Sequence, residues 1–214
     1  MPFPLFYEKL MASSRALLDS DGTVFNVDFF LNRFSEGFEA HRNELWNRFA
    51  RFYETRFDAL RRLVTVSDGL DALFDRLERR GLKKVVASNP LWPLSVQRIR
   101  LGWAGLQNRS FDWITGIENT RFCKPRIEYY REICETLGER PENCLMVGND
   151  PVNDMAVAEI GMKTYLVHDG KGDDRQRFSM SGELRRGMKE VLYEPDFIGP
   201  LKGLPDVVDR LLEA

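Results

Sequence analysis

The feature that most constrains this chain is a short apolar run that ends in a polar turn and recurs along the sequence. Such runs cover 15–18, 82–87, 111–115 and 144–147, and stretches with the three- and four-residue spacing of helices separate them. These runs are shorter than ordinary helices, and their alternation with helical stretches is typical of a parallel β-sheet flanked by helices. The sequence therefore predicts the α/β class, with its first strand at 15–18.

The end of the chain extends the same pattern. A fifth strand is predicted over 163–167, an edge strand over 196–199 and a closing amphipathic helix over 204–212. The segment 168–189 is polar, with glycines and mixed charges, which favours a surface loop or a weak helix.

An aromatic, helical stretch interrupts the alternation after the first polar turn. Phe30 and Phe34 begin a series of apolar residues at helical spacing, and no glycine or proline occurs over 38–68. We therefore expect an α-helical insert in an otherwise continuous core. The predicted division is a catalytic core over 1–25 and 67–214 and a helical cap over 26–66.

Composition narrows the class of function. Of the 214 residues, 43% are hydrophobic and 30% are charged, and 31 basic against 33 acidic residues give a formal net charge of -2. These values are typical of a soluble globular protein and leave no excess of positive charge for binding nucleic acid. No apolar run is long enough to span a membrane, and the first residues lack the order of a signal peptide. We expect a cytoplasmic protein that binds neither nucleic acid nor membrane; the sequence does not fix its oligomeric state.

Histidine and cysteine chemistry is disfavoured. The two histidines stand far apart in the sequence, and the three cysteines, Cys123, Cys134 and Cys144, lack the close pairing of a zinc site. We therefore expect the cysteines to be reduced packing residues.

Polar side chains follow the predicted strands at the points where the strands end. They are Asp19 and Asp21 after the first strand, Ser88 and Asn89 after the second, Lys124 ahead of the helix that follows the third, and Asp150 and Asp154 after the fourth. Ligands of open α/β sheets bind at the carboxyl ends of the strands. A single parallel sheet would therefore bring these side chains together at one edge.

Asp19 and Asp21 form the most informative pair. Two ionised carboxylates this close repel each other, so a cation is expected beside them, and oxygen ligands suit Mg²⁺. The alternative is an ordinary turn, because Asp and Gly are common turn formers at the ends of strands.

The whole set meets the needs of phosphoryl transfer to a carboxylate. The nucleophile and a phosphate monoester are both anions, so a metal and a cationic side chain must cancel their repulsion. Lys124 and the Ser88 hydroxyl can stabilise the charge on the transferring oxygens. Asp21 is placed to give a proton to the departing alkoxide and later to take one from water.

In four motifs, which occur in the family's order between about 15 and 167, the chain resembles the haloacid dehalogenase-like hydrolase superfamily. The motifs are Asp19-Ser20-Asp21-Gly22-Thr23, Val85-Val86-Ala87-Ser88-Asn89, Lys124-Pro125, and Val147-Gly148-Asn149-Asp150 with Asp154 beyond it. The resemblance implies a three-layer Rossmann-like core built on a parallel sheet. The helical insert resembles the small cap of the subfamily that carries it between the first two motifs.

The resemblance also implies a role for each matching residue. Asp19 would attack phosphorus and become an aspartyl phosphate, and Asp21 would act as acid and base while its backbone carbonyl joins the Mg²⁺ shell. Ser88 and Asn89 would bind the phosphorylated substrate. Lys124 would hold the charges of nucleophile and phosphate in place.

One departure from the family pattern concerns the metal. The family usually has an acid directly after the glycine of the fourth motif, and here that residue is Asn149. We therefore expect Asp150 to complete the metal site with Asp19 and Asp21. Ligation through the Asn149 amide oxygen, with Asp154 outside it, is the alternative.

The predicted activity is that of a Mg²⁺-dependent phosphatase that acts on a small phosphorylated metabolite through an aspartyl phosphate. Asp21 argues against a halide leaving group, because the departure of a halide needs no proton. A sugar phosphomutase of the same fold also needs Asp21 and stays open. A signalling phosphoacceptor module and a binding protein without catalysis are the alternatives outside the enzyme class.

Overall fold

A computed structural model of the chain describes residues 2–38, 41–168 and 180–213, without the side chains of 180 and 181. The α-helices of this part are α1 Phe3–Ala16, α2 Asn26–Ser35, α3 Arg42–Arg56, α4 Leu70–Arg79, α5 Leu94–Trp103, α6 Ile127–Leu137, α7 Met180–Arg185 and α8 Leu204–Glu213. Its strands are β1 Val85–Val86, β2 Trp113–Ile114, β3 Leu145–Gly148, β4 Lys163–Val167 and β5 Phe197–Gly199. Short 3-10 helices cover Leu17–Asp19, Phe57–Leu63, Pro141–Asn143, Met155–Ile160 and Leu201–Gly203.

All strand pairs described are parallel, and they form two sheets. β1 pairs with β2, and β4 lies between β3 and β5 in the second sheet. The prediction of an α/β fold built on parallel strands is confirmed. The expectation of a single sheet is wrong for the described residues, in which no ladder joins β1 or β2 to the other three strands.

The second sheet has helices on both faces, which gives the predicted three layers. Met146 of β3 packs into a buried cluster with Tyr130 and Ile133 of α6. Its neighbours along β3 point the other way, because side chains alternate across a strand, and Val147 packs with Val207 of α8. Val85 and Trp113 also pack against the cluster around α6, so this helix is shared by both sheets.

The strand predicted at 15–18 is wrong. This segment is the end of α1 and the start of the 3-10 helix Leu17–Asp19. Leu17 and Leu18 are 1% and 5% exposed and pack against the buried face of α2, including Phe34. A short apolar run is buried in either conformation, and periodicity alone does not distinguish a strand from a buried helical segment.

The insert region is helical, as its spacing predicts. Its helices, α2, α3 and the 3-10 helix Phe57–Leu63, pack through aromatic rings. The ring centroids of Phe30 and Phe34 are 5.3 Å apart, and those of Phe34 and Phe49 are also 5.3 Å apart. The division into a core and a cap over 26–66 stays a prediction.

The last elements follow the predicted pattern. β4 covers the predicted residues, β5 is the edge strand, and α8 is the closing helix. Within the segment 168–189, residues 169–179 lie outside the described part, and α7 is a short helix. Among the described helices none is both long and apolar enough to cross a lipid bilayer.

Candidate active site

The carboxyl ends of β1 and β3 open onto one polar cleft of about 360 Å³. The polar residues that line it are Ser88 and Asn89 after β1, Arg100 of α5, Lys124, and Asn149, Asp150, Asn153 and Asp154 after β3. The structure therefore brings together five of the seven side chains that the sequence predicts to meet, and leaves out Asp19 and Asp21. They meet because each follows a parallel strand or, for Lys124, lies in the loop before α6.

A buried ion pair forms the floor of the cleft. Lys124 and Asp154 are 4% and 6% exposed, and the Lys124 Nζ donates to Asp154 Oδ1 over 2.6 Å. The second carboxylate oxygen, Asp154 Oδ2, accepts the backbone N–H groups of Asn149 and Asp150, each over 3.0 Å. A buried charge pair is stable only when its remaining hydrogen-bonding capacity is satisfied, and here the turn after β3 satisfies it.

Gly148 makes room for this arrangement. A Cβ atom at Gly148 would lie 2.1 Å from Asp154 Oδ2, which is far inside van der Waals contact. Any other residue at this position would displace the carboxylate that holds Lys124.

The carboxylate of Asp150 accepts hydrogen bonds from its own turn and from one arginine. Its Oδ1 accepts the N–H groups of Val152 and Asn153 over 3.0 Å each, and its Oδ2 accepts Asn153 Nδ2 over 2.9 Å and the Arg185 guanidinium over 3.2 Å. Asn153 is 4% exposed, and its Oδ1 has no hydrogen-bond partner within the described part of the chain. Asp150 therefore shapes the turn, and Asn153 keeps an acceptor unused.

Asp19 and Asp21 are not among the residues that line the cleft. They follow a helix instead of a strand, and both are exposed. The carboxylate of Asp21 accepts the Thr23 hydroxyl over 2.7 Å and the Thr23 N–H over 3.0 Å. The hydrogen bond from the Thr23 side chain is the main reason why the pKa of Asp21 lies below its usual value.

The loop that carries these two aspartates is nevertheless fastened beside Lys124. The guanidinium of Arg126 donates to the carbonyl oxygen of Ser20. Gly22 has a φ of +77°, and a Cβ there would lie 2.1 Å from the ring of Phe122. The loop therefore packs directly on the segment around Lys124, although neither aspartate is among the residues that line the cleft.

The predicted metal ligands do not form a metal centre in this arrangement. Of Asp19, Asp21 and Asp150, only Asp150 lines the cleft, and its carboxylate already has four partners. Across the described ranges, no three His, Cys, Asp or Glu side chains stand close enough to hold a metal ion together. The residues as placed therefore do not fit Mg²⁺, although carboxylates are the donors that Mg²⁺ prefers.

Arg100 and Asn153 belong to the cleft and were missed by the sequence analysis. The Arg100 guanidinium donates to Ser88 Oγ over 3.3 Å and to Gln97 Oε1 over 3.0 Å. Desolvation by the surrounding protein lowers the pKa of Arg100, although arginine stays charged in proteins. A usable signal existed, because Arg100, although exposed, lies one helical turn after the fully buried Val96 of α5.

Cys123 lies directly before Lys124 and is completely buried. Burial raises the pKa of its thiol well above the ordinary value for cysteine, so the thiol is unreactive in the folded protein. Cys134 is buried as well, Cys144 is partly exposed, and all three are free thiols, which fits their predicted role as packing residues.

A family model described as haloacid dehalogenase-like hydrolase matches residues 5–161, which is most of the chain. The chain belongs to the haloacid dehalogenase-like hydrolase family. The match contains all four predicted motifs, and membership makes the protein an enzyme of the hydrolase class. No curated protein matches the chain.

Solved structures of the haloacid dehalogenase-like fold are similar over nearly the whole chain. A phosphatase of this family from Thermococcus onnurineus has a TM-score of 0.51 and 18% identity, covering 96% of this chain and 87% of that one. An L-2-haloacid dehalogenase from Xanthobacter autotrophicus has a TM-score of 0.57 and 21% identity, covering 95% and 84%. A candidate β-phosphoglucomutase from Thermotoga maritima has a TM-score of 0.54 and 15% identity, covering 98% and 93%. These similarities show a shared fold, and the three proteins carry different activities on it.

Proposed function

We propose that this hydrolase cleaves phosphate monoesters of small metabolites, with Asp19 as the nucleophile. The ion pairing of the charged residues in the cleft is the observation that carries the proposal. Lys124 is paired with Asp154 and Asp150 with Arg185, whereas no carboxylate of the described residues forms an ion pair with Arg100. Arg100 is therefore the one charged residue lining the cleft that has no ion-pair partner among the described residues, and its guanidinium is available to an anion.

The donors around that charge suit a phosphoryl group. Arg100 presents a planar fork of N–H donors that matches phosphate oxygens in a bidentate manner. The Ser88 hydroxyl, which accepts from Arg100 at 3.3 Å, can turn its own proton toward a phosphate oxygen. Lys124 adds a second positive charge from the floor of the cleft. Fixed donors of this kind stabilise the charge on the transferring oxygens.

In the proposed reaction the Asp19 carboxylate attacks phosphorus, and the bond from phosphorus to the ester oxygen breaks. Asp21 gives its proton to the departing alkoxide, and then takes a proton from the water that hydrolyses the aspartyl phosphate. Both aspartates must first turn into the cleft, and Asp21 must exchange its Thr23 hydrogen bonds for the leaving oxygen. Loss of those hydrogen bonds raises the pKa of Asp21, which a general acid needs.

Hydrolysis of p-nitrophenyl phosphate by the wild-type protein and by Asp19→Asn tests the proposal. We expect turnover by the wild type, activity at the uncatalysed background in Asp19→Asn, and full activity in the control Asp68→Asn, an exposed aspartate before α4. The sequence also predicts a Mg²⁺ requirement. The residues as placed do not fit the ion, so this requirement presupposes that Asp19 and Asp21 turn into the cleft beside Asp150; EDTA is then expected to abolish turnover and added Mg²⁺ to restore it. Full activity of Asp19→Asn, or turnover that EDTA leaves unchanged, would contradict the proposal.

A second experiment addresses the positive charge of Arg100, which has no ion-pair partner among the described residues. Arg100→Gln removes it, and a hydrogen bond to a charged group is worth about 1.5–3 kcal/mol, so we expect kcat/KM to fall by about ten-fold or more. Arg98→Gln on the same helix is the matched control, because Arg98 is exposed and does not line the cleft. Equal kcat/KM values for the two variants would mean that Arg100 does not bind the phosphoryl group.

Release of inorganic phosphate distinguishes the phosphatase from the phosphomutase that the sequence leaves open. A phosphomutase returns the phosphoryl group to a sugar phosphate and releases little inorganic phosphate. We expect stoichiometric release from the ester.

A further inference from the structure

A second, apolar cavity adjoins the polar cleft. It has a volume of about 90 Å³ and lies between α1, α2, α3 and the loops after β1 and β2. Its walls include Leu17 and the rings of Trp46 and Phe49, and Ser14 and Tyr53 bring the hydroxyl groups. Among the described residues that line it, none is charged.

The two spaces share a wall. Leu91 and Trp92 line both the apolar cavity and the polar cleft, and they follow Ser88 and Asn89 almost directly in the sequence. A molecule bound beside Ser88 would have to pass Leu91 and Trp92 to reach the cavity.

Trp92 is held in place, so the wall is a fixed part of the site. The Trp92 ring packs edge to face on Tyr53, with centroids 5.9 Å apart, and its centroid is 5.7 Å from that of Phe57. Its carbonyl oxygen accepts the N–H of Ile117 over 3.0 Å. A side chain with these contacts can shape a binding site without first being ordered by the ligand.

We propose that the polar cleft and this cavity together bind a phosphate ester of a short aliphatic alcohol, with the phosphoryl group beside Ser88 and the alkyl group in the cavity. This inference rests on the proposed function and names its substrate class. A cavity of about 150 Å³ holds benzene, so 90 Å³ suits an alkyl group of about three or four carbons. A sugar ring fits poorly, because its hydroxyl groups would lose water and meet mostly apolar walls.

Binding of non-hydrolysable phosphonates tests the inference without relying on catalysis. Propylphosphonate and 2,3-dihydroxypropylphosphonate have the same chain length and charge, and differ only in two hydroxyl groups. Trp46 and Trp92 line the cavity, so tryptophan fluorescence reports binding. Each buried methylene is worth about 0.8 kcal/mol, or roughly four-fold in affinity. We expect propylphosphonate to bind at least about ten-fold more tightly than the dihydroxy compound, and equal or reversed affinities would overturn the inference.

Two variants locate the preference in the cavity. Ser14→Leu fills it, so we expect the advantage of propylphosphonate to disappear while methylphosphonate binds as before. Ser95→Leu is the control, because Ser95 is exposed on α5 and lines neither space. Trp46→Phe enlarges the cavity and shifts the optimum toward butylphosphonate, which keeps the test decisive if Ser14→Leu does not fold. An unchanged chain-length preference in the variant that folds would overturn the inference.

A series of alkyl phosphates separates this inference from the proposed function. Hydrolysis that increases from methyl to propyl phosphate and exceeds that of glycerol phosphate supports both. Hydrolysis of every ester at the same rate overturns the substrate class and leaves the phosphatase activity intact. Selective binding of propylphosphonate without hydrolysis of any ester overturns the proposed function and leaves the assignment of the cavity intact.

Discussion

At the scale of single residues, the pair of Lys124 and Asp154 decides how the cleft is built. Its members come from different segments, the loop before α6 and the turn after β3, and the 2.6 Å contact joins them. The pair fixes the position of Lys124, which we propose to bind the phosphoryl group, and it leaves Arg100 as the charged residue of the cleft without an ion-pair partner in the described part of the chain.

Replacing Asp154 with Asn is predicted to destabilise the protein strongly. Breaking a buried pair by removing one partner costs about 3–5 kcal/mol, because the other charge stays buried and uncompensated. Urea unfolding should show this loss. Glu44→Gln, which removes an exposed partner of Arg48 one helical turn away, is the control and should cost less than about 0.5 kcal/mol. Similar losses in both variants would contradict the assigned role of the buried pair.

The sequence predicts correctly the site residues that follow strands, and it fails for those that follow or lie on helices. Ser88, Asn89 and Asp150 follow strands that the structure contains, so their meeting could be predicted from the topology of parallel strands. Asp19 is predicted to join them at the end of a strand, but the segment before it is helical. Arg100 lies on a helix, and whether it lines the cleft depends on how α5 is rotated about its own axis. Sequence motifs do not predict that rotation.

At the scale of elements, α8 is attached to α4 by an ion-pair cluster next to their apolar contact. Asp209 of α8 accepts one hydrogen bond from Arg76 of α4 and also forms an ion pair with Arg80 over 2.9 Å. The hydrogen bond from Arg76 is the main reason why the pKa of Asp209 lies below its ordinary value. The cluster therefore couples the attachment of α8 to pH.

This coupling predicts an acid-dependent loss of stability. Because the pKa of Asp209 is lower in the folded state, its contribution is fully present above the unfolded value of about 3.9 and is lost as the pH falls through the folded value. The difference in unfolding free energy between wild type and Asp209→Asn should therefore shrink as the pH falls below about 4. Urea unfolding between pH 6 and pH 2.5 measures it.

Asp206→Asn is the matched control for this prediction. Asp206 also contacts Arg76, but its side chain is 78% exposed, and solvated ion pairs contribute little to stability. A larger loss of unfolding free energy in Asp206→Asn than in Asp209→Asn would mean that Asp206, and not Asp209, attaches α8.

The predicted elements agree with the structure best where both ends of an element carry a signal. α6 ends where predicted, because Gly138 adopts the left-handed conformation with a φ of +65°. β4 covers the predicted 163–167 and follows the left-handed Gly161. The segment 15–18 has a turn at one end only, and its apolar residues continue the partly buried apolar stripe of α1, so helical structure extends through it.

At the scale of the whole molecule, the two sheets differ in how well they are supported. β4 has a parallel partner on each side, and its Thr164 and Tyr165 are 0% and 2% exposed. β1 has two residues, and β2 is its one partner among the described strands. The sheet around β4 is therefore the better anchored part of the fold.

This difference predicts an ordering of amide hydrogen exchange. Local opening requires less free energy where few buried contacts and backbone hydrogen bonds must break. The amides of β4 should therefore exchange more slowly than those of β1 in the native state. Mass spectrometry of peptides that cover 82–88 and 162–168 measures both rates. Equal protection would mean that the two sheets open as one unit.

Because Cys123 is buried and directly precedes Lys124, its rate of chemical labelling reports how often this part of the site opens. A thiol-alkylating reagent reaches Cys144 in the folded protein, because that residue is partly exposed. The same reagent modifies Cys123 only during moments when the segment holding Lys124 detaches from its surroundings. Mass spectrometry of the two labelled cysteines would therefore measure how often this segment detaches, with Cys144 as the internal standard. A bound phosphonate that holds Lys124 in place would slow the labelling of Cys123.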